Sequence, residues 1–301
     1  MQPEVVHSDF RYVFRSDSVV RQLATAMAFT EGPVWVEAEQ CLLFTDIPNN
    51  AIMRWSEREG LSVYNANSHF AIGLTLDLEN RLIACEHTTR RLTRYEADDR
   101  IMVLASGYRG YVLNSTNDVV VRGSDGRIFF TDPPFGVRQE DGQLYGYQQA
   151  MEYNACGVFY VTDDPAAPQL VTEAIYRPNG LCFSPDERTL YISDSSDRYH
   201  QVYALRMQPD DTATDPQVFF VMPAGVPDGM CVDSEGRLYI AGLDGVYVCA
   251  VDGNLLGKLP CPEMVTNCCF GGPGRHTLFM TAVSSLYAVE LASTGFQPAM
   301  R

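Results

Sequence analysis

Four residues with hard oxygen donors stand at one recurring place in the sequence: Glu31 in EGPVWV, Asn117 in NDVVVR, Asn179 in NGLCFS and Asp228 in DGMCVD. Each opens a short apolar run. Two carboxylates and two amides, with no His or Cys among them, suit Ca2+, Mg2+ or Mn2+ better than structural zinc. Singly, Asn-Gly and Asp-Gly are common turn dipeptides, and turn chemistry accounts for each one alone. Their shared position argues for a joint role as the ligands of one divalent ion. Ca2+ is the ion expected, with Mg2+, Mn2+, Zn2+ and Fe2+ as alternatives.

A second row of acids, Asp46, Glu86, Asp132 and Asp194, closes the apolar runs CLLFTD, RLIACE, RIFFTD and TLYISD. Strand-end turn formation explains such residues. They also suit a place behind the ligands, orienting them or the attacking water. Loops expected on the same face carry His69, Phe70, His87, Tyr108, Arg109, Tyr111, Tyr176 and Arg177. A long connection at 133–156 adds Tyr145, Tyr147 and Tyr153. Aromatic and Arg side chains around an acidic well suit a polyhydroxylated ligand. Asn117, Arg109, Tyr111, His69, His87 and Tyr147 are the expected substrate contacts.

These positions coincide only if a repeat brings them together. Six segments open at Glu31, Ile72, Asn117, Asn179, Asp228 and Thr266, at steps of 41, 45, 62, 49 and 38 residues. Each contains short runs rich in Val, Ile, Leu, Tyr and Phe, separated by Gly, Asp and Asn. Four short strands every ~40–50 residues is the signature of a β-propeller. The fold expected is all-β: one six-bladed propeller of four-stranded blades, with the first strand of each blade lining the axis. The sixth repeat lacks a fourth strand. The segment 18–26 stands before Glu31 as other fourth strands stand before their openings. It is expected to close the ring and remove an exposed sheet edge, leaving 1–17 as an N-terminal extension and 133–156 as a lid in blade three.

Composition narrows the partners. The formal net charge is −16, which repels phosphate backbones and anionic lipid, so neither nucleic acid nor a membrane is an expected partner. No apolar run is long enough to span a bilayer, and the N-terminus shows no signal-peptide pattern. Nine cysteines without a C-x-x-C pair argue against a disulfide framework. Cys182, Cys231 and Cys269 recur at one place in three repeats and read as small buried apolar residues. Free thiols suit a reducing, cytoplasmic location. A monomer or weak homo-oligomer is expected.

The stretches EGPVW, LLFTDIPNNAIMRW, GLTLD, RLIACEH, NSTNDVVV, FTDPPFG, PNGLCFSPD, LYISDS and PDGMCVD resemble the gluconolactonase branch of the senescence marker protein/regucalcin family. The resemblance runs in order over nearly the whole chain. It implies a six-bladed propeller with a divalent metal in the channel, Glu31, Asn179 and Asp228 as ligands, and Asn117 on or near the metal. Three positions near the substrate depart from the family: Ser115 replaces an Arg, Ile72 an Asn, and Val112 a basic residue. The activity implied is hydrolysis of a sugar lactone, with the metal polarising the carbonyl and water attacking. Asp228 is the expected general base and Glu31 the next choice, while His87 and His69 suit proton shuttling. There is no G-x-S-x-G elbow for a covalent serine route. Organophosphate ester hydrolysis on the same scaffold, and a non-catalytic calcium-binding propeller, are the alternatives.

Overall fold

The computed structural model describes residues 2–98, 100–138 and 145–296. Among these residues the regular structure is antiparallel β-sheet, with 3-10 turns as the only helical elements. The strands form six four-stranded blades in sequence order, so the propeller read from the repeat is present. Blade one runs Thr30–Val36, Cys41–Asp46, Ala51–Ser56 and Gly60–Asn65, and the others repeat this meander.

Ring closure follows the expected route. Arg21–Ala24 pairs with Ser285–Glu290 of blade six, with Arg21 opposite Ala288 and Ala24 opposite Leu286. The first and last parts of the chain thus share one sheet, and blades one and six are locked by stacking of Trp35 on Phe279, with ring centroids 5.4 Å apart. Two features lay outside the sequence reading. Glu4–Val5 adds a fifth strand to blade five against Leu255–Pro260. A small hairpin pairs Gly107–Tyr108 with Tyr111–Val112. The N-terminal extension is also part of the core, because Phe10 is fully buried against blades five and six.

The core is six apolar layers, one at every blade–blade interface. Alternation along each strand sends apolar side chains to both neighbouring blades, which is why the strands read as nearly continuous apolar runs. At about 1.5–3 kcal/mol per buried large apolar side chain, these layers dominate stability. They also fix the rotation between blades, and so the height at which each first strand presents its opening residue.

The thiols need one correction. All nine cysteines are free, but Cys231 and Cys269 are only half-buried while Cys182 is buried. All three line an axial cavity of about 180 Å3, and so do Val34, Thr75 and Val120 from the other first strands. They line the cavity wall while also packing into or against the layers between blades. Leu78 and Glu187, from turns joining first to second strands, also border this cavity, so it lies toward the face opposite the opening residues.

Candidate metal centre and active site

The opening residue stands at or just before the start of each first strand, and a bulge sits there in blades one, two, four and six. A bulge breaks the ladder and re-aims a side chain. The ring is then stitched from blade to blade. Thr45 donates its hydroxyl to the Ile72 carbonyl at 3.0 Å, and Thr131 donates to the Asn179 carbonyl at 2.8 Å. Gly73 N–H donates to the Asn117 carbonyl at 2.9 Å, and Gly229 N–H to the Thr266 carbonyl at 2.8 Å. Ser195 donates its hydroxyl to the Pro227 carbonyl between blades four and five, and Thr266 donates to the Thr30 carbonyl at 2.7 Å, closing the circle. Glu31, Asn117, Asn179 and Asp228 are therefore brought to one level around the axis.

The electrostatics at that level are those of an uncompensated anionic site. Burial pushes the Glu31 carboxyl up to about 8, and Asp118 adds to the rise. Asp228 is pushed well above the usual carboxylate range by burial, then by Glu31 and Asp118, with a hydrogen bond from Asn179 opposing. Burial also lifts Asp118 to about 7. Among the described residues no Lys, Arg or His pairs with any of the three. The Asn117 Nδ2 is buried without a hydrogen-bond partner among the described residues. Three mutually repelling carboxyl groups and an orphaned amide fit a bound cation that the amide oxygens help to ligate.

Asp118 and Asn267 were missed by the sequence reading. They occupy the second position of each repeat, where the other four members are Gly32, Gly73, Gly180 and Gly229. The glycines let neighbouring blades touch: a Cβ on Gly32 would lie 2.0 Å from the Ile72 carbonyl oxygen, and one on Gly229 would lie 1.9 Å from Asn267 Cγ. Asp118 and Asn267 fill the axis instead. Asp118 accepts from Val119 N–H at 2.9 Å and Leu181 N–H at 3.3 Å, and Asn267 donates to Glu31 Oε2 at 3.0 Å. Four glycines and two polar residues in one column of the repeat was the available signal.

The second row of acids holds backbone. Asp46 accepts from Ala28 and Phe29 N–H at 3.1 Å, Asp132 from Asn114 N–H at 2.8 Å, and Asp194 from Tyr176 N–H at 3.1 Å. In each case the clamped loop leads directly into that blade's opening residue. Glu86 differs: it accepts from Arg91 Nε at 2.8 Å and from the Thr93 hydroxyl at 2.8 Å. Burial lifts the Asp132 carboxyl to about 7.

The rim is only partly as expected. Residues 139–144 of the lid lie outside the described residues. Ser115, at a departure from the family pattern, anchors the lid's start: it donates to the Pro133 carbonyl at 2.7 Å and accepts from Gly136 N–H at 2.9 Å. Tyr145 reaches the site, since burial and then the charges of Asp228 and Glu31 raise its hydroxyl pKa. Tyr147 is exposed and packs on Phe70. His87 is fully buried, with Nδ1 2.9 Å from the Tyr145 carbonyl, Nε2 without a partner among the described residues, and a pKa lowered to about 4 by burial. It stays neutral at pH 7 in this arrangement. His69 is half-buried with a left-handed φ of 58°. Arg109 and Tyr111 are exposed on the small hairpin, with the Arg109 guanidinium over the Tyr108 ring.

The chain is similar to known proteins in sequence and fold. A gluconolactonase from Zymomonas mobilis is 30% identical over 92% of this chain and 82% of its own length. A pentonolactonase from Haloferax volcanii is 25% identical over 92% of this chain and 96% of its own. The solved structure of a gluconolactonase from Xanthomonas campestris superposes with a TM-score of 0.89 at 34% identity, covering 97% of this chain and 95% of that one. The family model described as the SMP-30/Gluconolactonase/LRE-like region matches residues 29–284, and the chain belongs to that family.

Proposed function

We propose that this protein is a divalent-cation-dependent hydrolase that opens a sugar lactone. The observation that carries the reading is the pair of carboxyl groups Glu31 and Asp228, whose proton affinities burial and mutual repulsion raise at the level of Asn117 and Asn179, with no cationic side chain to offset them among the described residues. The gluconolactonase and pentonolactonase relatives support the substrate class. Glu31, Asn117, Asn179 and Asp228 would hold the ion, and an all-oxygen set with two charges suits Ca2+ best. When bound, the ion would polarise the lactone carbonyl and stabilise the negative charge that develops on its oxygen.

The chain's own groups supply the rest. Asp228 takes a proton from the water whose oxygen attacks the carbonyl carbon. The bond from that carbon to the ring oxygen then breaks, and the ring oxygen takes the proton held by Asp228 and becomes the hydroxyl of a hydroxy acid. A cation held by Asp228 would lower the proton affinity of its carboxylate, so the role needs the free carboxylate oxygen to face the water. Tyr145 faces the same carboxyl groups from the lid, where its hydroxyl would orient a substrate oxygen. Phe29 packs on Tyr145 with ring centroids 4.7 Å apart, and together they form an apolar wall against which a sugar ring would lie. The test is a pH-indicator assay on a panel of aldonolactones, using protein stripped with EDTA and reloaded with one ion at a time. Acid release that appears only with a divalent ion supports the reading. Turnover that is unchanged after stripping would overturn the metal dependence.

A further inference from the structure

The two oxygens of the Glu31 carboxylate have different surroundings. Oε2 accepts from Gly32 N–H at 2.6 Å and from Asn267 Nδ2 at 3.0 Å. Oε1 makes no hydrogen bond among the described residues and is not sealed from the space above it. One oxygen is tied to the protein and the other is left toward the axis.

Asn267 is itself held. Its Oδ1 accepts from Cys268 N–H at 2.8 Å, which fixes which end of the amide donates to Glu31. Its side chain lies where a Cβ on Gly229 would be, 1.9 Å from Asn267 Cγ, so the glycine after Asp228 makes room for it. Asn267 is buried and, with Asp118, borders the upper end of the 180 Å3 axial cavity, which Glu31, Asn117, Asn179 and Asp228 do not line. It stands between the ligand level and the open channel beneath.

We infer that Asn267 is the positioning residue of the metal centre: it pins Glu31 Oε2 from below so that Oε1 is presented to the ion, an inference that rests on the metal-site reading above. An amide suits the place because it donates to Glu31, and reaches Asp118 as well, without adding charge. A carboxylate that must find its own rotamer loses part of its affinity in doing so, and residues supporting a ligand from behind typically contribute 10–100-fold to metal affinity.

The experiment is a calorimetric Ca2+ titration of EDTA-stripped full-length protein in four forms: wild type, Asn267→Leu, Glu31→Gln and the double variant. Asn267→Leu keeps the volume and removes the donor. It should weaken binding about 10–100-fold in the wild-type background. In the Glu31→Gln background the same change should alter affinity less than about threefold, because the carboxylate to be aimed is gone. Equal losses in both backgrounds would mean a merely structural role and overturn the inference, as would wild-type affinity in Asn267→Leu. If the leucine variant does not fold, Asn267→Ser, too short to span to Glu31, gives the same two comparisons. A wild-type protein that binds no divalent ion would overturn the site reading itself, a result distinct from both.

Discussion

Asp132 Oδ2 accepts a hydrogen bond from the backbone N–H of Asn114 at 2.8 Å, three residues before Asn117. The spacing recurs where Asp46 holds Ala28 ahead of Glu31 and Asp194 holds Tyr176 ahead of Asn179. A strand-end acid thus fixes the loop that delivers a candidate ligand of its own blade. Asp194→Ala should destabilise the protein by about 1–3 kcal/mol, the cost of stranding buried donors. It should also weaken Ca2+ binding, because the loop entering Asn179 loses its clamp. Denaturant unfolding and calorimetry together check this, and a loss of stability with unchanged affinity would restrict Asp194 to the fold.

Asp228 separates ligand from base. In Asp228→Asn the amide oxygen still coordinates but accepts no proton from water. Turnover at saturating metal should stay depressed by about 10²–10⁴-fold, the usual size of a general-base contribution. Full rescue by added Ca2+ or Mn2+ would move the role to Glu31 or dispense with a protein base.

The lid should govern which lactone is used. Tyr145→Phe removes one hydroxyl facing Asp228 and Glu31 while keeping the ring on Phe29. We expect kcat/KM to fall about tenfold or more, the effect of losing one hydrogen bond of about 1.4 kcal/mol, with Ca2+ affinity little changed. Tyr147→Phe, at the exposed rim, serves as the comparison and should behave as wild type. Steady-state kinetics on two aldonolactones of different ring size reads both effects.

His87 gives a pH signature. Burial lowers its pKa from 6.5 to about 4. Between those values the unfolded chain takes up a proton that the native protein refuses, so stability falls as pH drops through that window and is fully present above it. His87→Leu lacks this dependence. The stability difference between wild type and variant should therefore shift by about 3 kcal/mol between pH 7 and pH 4. Unfolding in urea at several pH values measures it, and parallel profiles for the two proteins would contradict the assignment.

The N-terminal extension should be indispensable to the closed ring. Phe10 is fully buried against blades five and six, beside the Arg21–Ala24 strand that completes the last sheet. Phe10→Ala should cost about 3–5 kcal/mol, as large aromatic truncations in cores do. Thermal unfolding of the metal-free protein checks this without reference to activity.

The repeat alone determined the number of blades, the strand that closes them and the column holding Glu31, Asn117, Asn179 and Asp228. That is because a propeller maps sequence period directly onto rotation about one axis. The acids of the second row were legible as a set, since strand ends recur with the same period. What they bind was not, because a carboxylate's partner depends on a loop whose path no local pattern fixes. Asp118 and Asn267 were hidden in a column that otherwise reads as turn glycines. Only the closure of the ring brings Asn267 from the last blade to Glu31 of the first, 236 positions away. The 133–156 insertion was visible, yet that Tyr145 packs on Phe29 and that its carbonyl meets His87 was not. Those contacts arise between blades one, two and three, and tertiary structure alone decides them.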